Sequence, residues 1–187
     1  MFNRTGFIMG RNDSPLTPEG VEVAKQVAWL LHEQGIRTVF SSPLKRAVRS
    51  AKIYTGGMGL PVLVREAMAE LFCGEWEGKP RSEVMEGELL MRKNWLDRPP
   101  GGESYSDAEA RVEPFIQELT SEEIPHPILV VGHAGVNRVF LKLWCRLEPE
   151  CAIKINCPHD TVYLIEDRKK VVAKSLNGLK SEGFLFH

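Results

Sequence analysis

One short apolar run constrains the fold more than any other feature. Ile128–Val131 reads Ile-Leu-Val-Val, Gly132 and His133 follow, and residues 136–147 then show helical spacing. An apolar strand leading into a helix is typical of a parallel sheet in an α/β protein, where ligands bind at the carboxyl ends of strands. The run therefore predicts His133 at that edge, beside a helix N-terminus that favours anions such as phosphate. A core histidine bonded to a nearby carbonyl is the alternative.

The first third of the chain repeats the alternation of helix and strand. Thr17-Pro18-Glu19 combines a capping threonine, a proline and an acidic first turn, which together indicate a helix start. Residues 36–41 then predict a short strand, and Ser42-Pro43 gives a second cap-then-proline signal. Residues 60–64 predict a further strand.

The second half adds a helical block and a hairpin. Residues 79–127 are helical in pattern, with a Pro/Gly break from Arg98 to Gly102 and a capping box from Ser106 to Glu109, and this block reads as a helical insertion. Residues 161–165 and 171–175 flank a charged turn and predict a hairpin at one sheet edge. We predict an α/β protein, a three-layer α/β/α sandwich with a mostly parallel sheet, a terminal hairpin and the insertion, as a single domain over residues 1–187.

Arg46 is the second candidate for a functional residue. It lies in the first turn of the second predicted helix, where a cation is unfavourable to the helix dipole. A solvated surface charge is the usual explanation of such a residue. However, Arg46 also follows the carboxyl end of a predicted strand, at the edge where His133 is expected. A guanidinium there could hold a phosphate through two hydrogen bonds.

Charge and composition exclude several partner classes. The formal net charge is -1, which gives no electrostatic basis for binding nucleic acid or an anionic membrane. We see no membrane span and no secretion signal, and therefore expect a cytoplasmic protein. The 4 cysteines lack the close pairs of zinc sites, so we expect reduced thiols without a metal.

Five segments together resemble the histidine phosphatase (phosphoglycerate mutase-like) superfamily, and they follow its order over nearly the whole chain. They are residues 10–20, Ser41-Ser42-Pro43-Leu44-Lys45-Arg46-Ala47, Glu70 with Gly74-Glu75-Trp76-Glu77-Gly78, Pro100-Gly101-Gly102-Glu103-Ser104, and Gly132-His133-Ala134-Gly135-Val136-Asn137-Arg138. The short chain and the last motif look most like the small phosphatases of the family, including α-ribazole phosphatase-like members.

The resemblance implies phosphomonoester hydrolysis through a phosphohistidine, without a metal or other cofactor, on a small phosphorylated metabolite. By position, Arg46 resembles the second phosphate-binding arginine, and His133 resembles the second, non-nucleophilic histidine of the catalytic site, which also binds phosphate. Glu70 resembles the proton donor, and Asn3 matches an asparagine near the phosphate. The resemblance does not specify the oligomeric state, and a homodimer is one alternative.

One departure affects the expected activity. The family's Arg-His-Gly-Glu signature, with the nucleophilic histidine on a mid-sheet strand, is absent from these residues, and His32, His126, His159 and His187 lie in no such motif. Either the sequence is N-terminally truncated, or the protein is a non-catalytic phospholigand-binding or scaffold variant. Since Arg46, Glu70 and His133 keep their types, we expect truncation and a weakly active or inactive chain. A phosphoglycerate mutase is the other enzymatic alternative, although such mutases are typically longer.

Overall fold

A computed structural model describes residues 6–84 and 92–187 of the chain. Asn3 and part of the predicted helical insertion, residues 85–91, lie outside the described residues.

Among the described residues, three strands form the predicted parallel sheet. They are β1 (Thr38–Ser41), β2 (Val62–Val64) and β3 (Ile128–Val131), in the order β2-β1-β3. Both neighbours run parallel to β1, with Phe40 opposite Leu63 on one side and Val130 on the other. Because all three strands point the same way, their carboxyl ends meet at one edge, as the sequence predicts.

In residues 6–84 and 92–187, six α-helices accompany the strands. They are α1 (Pro18–His32), α2 (Lys45–Tyr54), α3 (Arg81–Val84), α4 (Tyr105–Leu119), α5 (Ala134–Cys145) and α6 (Pro149–Ala152).

Alternate side chains of the parallel strands face opposite layers. Val39 and Val131 pack with Ala47 and Ala51 of α2. Phe40 points the other way, into a larger core built mainly from α4 and α5, whose members include Val112, Phe115, Ile116, Leu119, Val136 and Val139. β1 is buried throughout, whereas β2, at the end of the strand order, is partly exposed, with Leu63 37% and Val64 44% exposed. The α/β class, with helices on both faces of a parallel sheet, is confirmed.

Two predicted helix starts were wrong. Helix α2 begins at Lys45, without a side-chain cap, rather than at Ser42-Pro43. Helix α4 begins with a capping box between Ser104 and Asp107, which starts two residues before the predicted box from Ser106 to Glu109. In α4 a serine two residues earlier takes the capping role, whereas in α2 the Ser42 hydroxyl contacts His133 instead of capping the helix.

The predicted helical insertion is helical only in part. Among the described residues of 79–127, α3 and α4 are helical, whereas residues 92–104, which contain the predicted break at Arg98 to Gly102, form no helix. The guanidinium of buried Arg92 donates to the carbonyl oxygens of Phe72 and Glu103. These hydrogen bonds attach the segment to the loop after Glu70.

The terminal hairpin is confirmed, as a separate sheet. Strands β4 (Thr161–Glu166) and β5 (Lys170–Ser175) pair antiparallel, and β5 also pairs with β6 (Lys180–Glu182), which the sequence did not indicate. Asp167 and Arg168 both have positive φ in the three-residue turn that joins Glu166 to Lys170. Within residues 6–84 and 92–187, β4 does not pair with β3, so the hairpin is not an edge of the parallel sheet.

Helix α1 packs against both halves of the molecule. It contacts α2, which covers the parallel sheet, and also β4 and β5 of the antiparallel sheet. None of the helices in the described part of the chain has the length and apolar character that crossing a membrane requires.

Candidate active site

The site begins where β1 and β3 end side by side. The Ser42 N–H donates to the Val131 carbonyl at 2.9 Å, which extends the ladder by one residue. His133 follows two residues later and is the N-cap of α5, in extended backbone conformation. Its Nε2 lies 2.7 Å from the Ser42 hydroxyl, and Ser42 itself is fully buried. The parallel register therefore brings together two residues 91 positions apart.

The hydrogen bonds of His133 define its tautomer. The Arg46 Nε–H lies 3.3 Å from His133 Nδ1, and a guanidinium can only donate. Nδ1 must therefore accept, which leaves the ring proton on Nε2, directed at the Ser42 hydroxyl oxygen. Burial, reinforced by the Arg46 charge, lowers the pKa of His133 from its ordinary 6.5 to about 4, with Glu70 acting in the opposite direction. His133 is therefore neutral, with side-chain partners on both ring nitrogens.

Arg46 connects α2 to the loop that precedes α1. Its Nη2 donates to the Gly10 carbonyl at 2.9 Å and its Nη1 to the Asn12 carbonyl at 2.7 Å. Its Nη1 also lies 3.8 Å from an Asp13 carboxylate oxygen. Burial lowers the pKa of Arg46, although it remains a permanent cation. A half-buried cation at the ends of parallel strands is suited to an anion.

Asp13 explains how α2 tolerates basic residues in its first turn. The Asp13 carboxylate accepts the Lys45 N–H at 2.8 Å, so it serves the orphan donor that a capping side chain would otherwise serve. Its negative charge also interacts favourably with the positive end of the helix dipole. Sequence reasoning missed this role, because the acceptor lies 32 residues before the helix.

Glu70 lies across the N-terminus of α5. Its Oε1 accepts the N–H groups of Val136 at 3.0 Å and Leu71 at 2.8 Å, and its Oε2 accepts that of Gly135 at 3.3 Å. A Cβ at Gly135 would lie 2.6 Å from Glu70 Oε1, so the glycine of the motif makes room for the carboxylate. The predicted proton donor therefore stands next to the turn of chain that carries His133.

Glu103 is a further member of the site region that sequence reasoning left without a role. Its carboxylate accepts two bonds from Arg111, both at 2.9 Å, one from Arg11 at 3.2 Å, and the Phe72 N–H at 3.2 Å. Arg11 in turn donates to the Glu70 carbonyl at 2.9 Å. Burial opposes ionisation of Glu103, but Arg111 outweighs it, and the pKa of Glu103 is lowered. Glu103 thus fixes the chain on which Glu70 lies.

The structure brings together Arg46, His133 and Glu70 from the sequence prediction, while Asn3 lies outside the described residues. The Pro-Gly-Gly-Glu motif was the one signal that could have identified Glu103. In residues 6–84 and 92–187, no three His, Cys, Asp or Glu side chains are grouped as metal ligands would be.

The chain is similar in sequence to proteins of one superfamily. A model of the histidine phosphatase superfamily (branch 1) matches residues 1–177. The adenosylcobalamin/alpha-ribazole phosphatase of Escherichia coli K12 is 32% identical over 139 residues, which cover 72% of this chain and 68% of that protein. A 2,3-bisphosphoglycerate-dependent phosphoglycerate mutase of Cytophaga hutchinsonii is 27% identical over 188 residues, covering 96% of this chain and 88% of that protein.

Solved structures share the fold. The alpha-ribazole phosphatase from Shigella flexneri matches with a TM-score of 0.76 at 23% identity, over 100% of this chain and 91% of that one. A mycobacterial glucosyl-3-phosphoglycerate phosphatase matches with a TM-score of 0.77 at 22% identity, over 98% and 92% of the two chains. With a family model spanning residues 1–177, the chain belongs to branch 1 of the histidine phosphatase superfamily.

Proposed function

We propose that the chain forms the phosphate-holding and proton-donating part of a phosphomonoester hydrolase that acts on a small phosphorylated metabolite. The observation that carries the proposal is the part-buried contact between Arg46 and neutral His133 at the strand ends, with Glu70 held one turn away. Arg46 and the His133 Nε2–H would donate to the phosphoryl oxygens. A phosphoryl oxygen would then replace the Ser42 hydroxyl as the hydrogen-bond partner of His133 Nε2. Such donors stabilise the charge that redistributes during transfer.

The proposed reaction has two steps. A histidine nitrogen attacks phosphorus, the bond to the ester oxygen breaks, and Glu70 gives its proton to that leaving oxygen. Water then attacks the phosphohistidine, Glu70 takes a proton from this water, and inorganic phosphate leaves with the histidine restored. Glu70 is positioned for both steps because its carboxyl group lies beside the turn of chain that carries His133.

We propose that the nucleophile is not His133. Its Nδ1 accepts from Arg46 and its Nε2 carries the proton, so neither nitrogen offers a lone pair to phosphorus. The remaining histidines lie outside any Arg-His-Gly-Glu motif. In the described part of the chain, β3 and β4 each have one edge without a strand partner. Unpaired strand edges favour addition of a further strand, and a strand carrying the nucleophile would suit this position.

The test compares three proteins in hydrolysis of p-nitrophenyl phosphate: the 187-residue chain, the chain preceded by a strand ending in Arg-His-Gly-Glu, and the same extension with Arg-Ala-Gly-Glu. Circular dichroism establishes folding of each. We expect the chain alone to be weakly active or inactive, the first extension to restore turnover, and the alanine version to fail. Rapid turnover by the folded chain alone would contradict this proposal and make His133 the first residue to mutate.

A phosphoglycerate mutase is the second candidate, favoured by the relative that covers 96% of this chain. Its activity would appear as exchange between 2- and 3-phosphoglycerate that depends on the bisphosphate. Phosphate-ester binding without turnover, even in the Arg-His-Gly-Glu extension, would instead identify a phospholigand-binding or scaffold protein.

We also propose a cytoplasmic location, which the free thiols of all four cysteines support. Light scattering on the purified chain would decide between a monomer and a homodimer.

A further inference from the structure

An exposed aromatic side chain lies two residues from Glu70. Phe72 is 38% exposed, whereas its neighbours Leu71 and Cys73 are 1% and 4% exposed. Glu70 is also more exposed than Leu71, so burial alternates along this non-helical segment. Phe72 and Glu70 are therefore the side chains of this segment that reach its less buried side.

Arg11 stands beside the same ring. Its guanidinium carbon lies 5.9 Å from the Phe72 ring centroid, within the range of a cation–π contact. Its Nε donates to the Glu70 carbonyl and its Nη2 to Glu103, which hold the group in place. In residues 6–84 and 92–187, its Nη1 makes no hydrogen bond, so this nitrogen can donate to a bound molecule. An aromatic face and a donor thus border the segment that carries the acid.

We propose that Phe72 and Arg11 form a leaving-group subsite that selects phosphomonoesters of flat, apolar alcohols, with aryl phosphates as the simplest members. The inference rests on the proposed function: if Glu70 gives its proton to the ester oxygen, the rest of the alcohol must lie beside Glu70. An aryl ring packs on Phe72, and an oxygen substituent on that ring accepts from Arg11 Nη1. A short alkyl alcohol reaches neither group.

The size of the selection follows from aromatic contacts. A ring pair contributes a factor of about 2 to 10 in affinity beyond area burial. We expect the chain to bind phenyl phosphate more tightly than methyl phosphate by at least this factor, since the phosphate group is common to both.

The experiment is calorimetric titration of the 187-residue chain with phenyl phosphate and methyl phosphate, with inorganic phosphate as reference. Phe72→Ala is expected to reduce the preference for phenyl phosphate by about 2- to 10-fold. Phe72→Tyr keeps the aromatic face and should keep the preference, while Phe72→Leu, of similar size, should lower it. The two size-matched variants decide the matter if the alanine variant does not fold. Trp29→Ala, which removes an 80% exposed aromatic residue from α1, should change neither constant.

The subsite would be overturned if the wild-type chain bound both esters with equal affinity. It would also be overturned if folded Phe72→Ala or Phe72→Leu kept the preference for phenyl phosphate. Either result would leave the proposed function intact. Loss of both esters and of inorganic phosphate in Arg46→Ala would confirm that they share the phosphate site. Binding of both esters that is unaffected by Arg46→Ala would overturn the proposed site, and the subsite with it.

Discussion

The two sides of the site handle charge differently. On the phosphate side, Arg46 is half-buried, its nearest carboxylate is 3.8 Å away, and its neighbour His133 is neutral. On the acid side, Glu103 lies between Arg111 and Arg11 and is fully paired. The phosphate side therefore keeps positive charge for an incoming anion, whereas the acid side uses its charges to fix the backbone. Removing a charge should cost ligand binding on the first side and folding stability on the second.

The largest effect is expected from Arg46→Ala. Two or more charge-assisted hydrogen bonds to phosphate are lost, each contributing about 1.5 kcal/mol or more, so phosphate affinity should fall by roughly 100-fold. The matched control is Arg49→Ala, an exposed arginine one turn later on α2. Calorimetry with inorganic phosphate measures the affinity of both variants. Similar losses of affinity in the two would mean that net charge, and not contact with Arg46, determines phosphate binding.

His133 should make the free energy of unfolding depend on pH. Its folded-state pKa of about 4 lies below its ordinary 6.5, so the unfolded chain takes up a proton first as the pH falls. Its contribution is complete above about pH 6.5 and is lost between pH 6.5 and 4, by about 3 kcal/mol at most. Urea unfolding of wild type and His133→Gln across this window should show a flatter profile in the variant.

The control for that experiment is His32→Gln, which changes an exposed histidine on α1. It should keep the wild-type slope. Parallel profiles for wild type and His133→Gln would mean that His133 titrates alike in both states.

Glu103→Gln tests the acid side. Its side chain is 15% exposed and serves two arginines and a backbone N–H, so the substitution should lower the free energy of unfolding by about 2 kcal/mol. Glu118→Gln removes one partner of the more exposed ion pair with Arg65 and should cost below about 1 kcal/mol. Equal losses in the free energy of unfolding for the two variants would show that the ion pairs of Glu103 contribute no more than an ordinary surface ion pair.

The smallest effect on stability is expected from Gly135→Ala. The helix gains about 0.5–1 kcal/mol from replacing glycine, but the new Cβ displaces the Glu70 carboxylate from its N–H partners. The two contributions should nearly cancel. Gly20→Ala in α1, where the new Cβ meets nothing closer than 3.4 Å, should show the full gain in thermal unfolding. An equal gain at Gly135 would mean that the Glu70 contact contributes nothing.

The same division marks what the sequence could predict. Local pattern located β3, the hairpin of β4 and β5, and the strand edge where Arg46 and His133 meet. The family motif added Glu70. These features depend on spacing within one element, or on parallel strands sharing an edge.

The missed features depend on partners distant in sequence. Ser42 carries the signal of a helix cap, but its hydroxyl is bound to His133, 91 residues away. Asp13 supplies the N-terminal acceptor of α2 from another loop. The Pro/Gly break at Arg98 to Gly102 was predicted, but the bond from buried Arg92 to Phe72, 20 residues before it, was not. Periodicity within a segment contains no information on such contacts.

The most direct test of the central claim, that Arg46 and His133 form a phosphate site, is an NMR titration of the 187-residue chain with inorganic phosphate. The account predicts that the Arg46 Nε–H and the His133 ring resonances shift together and saturate, while the exposed Trp29 indole signal stays in place. A folded chain in which phosphate moves neither Arg46 nor His133 would contradict it.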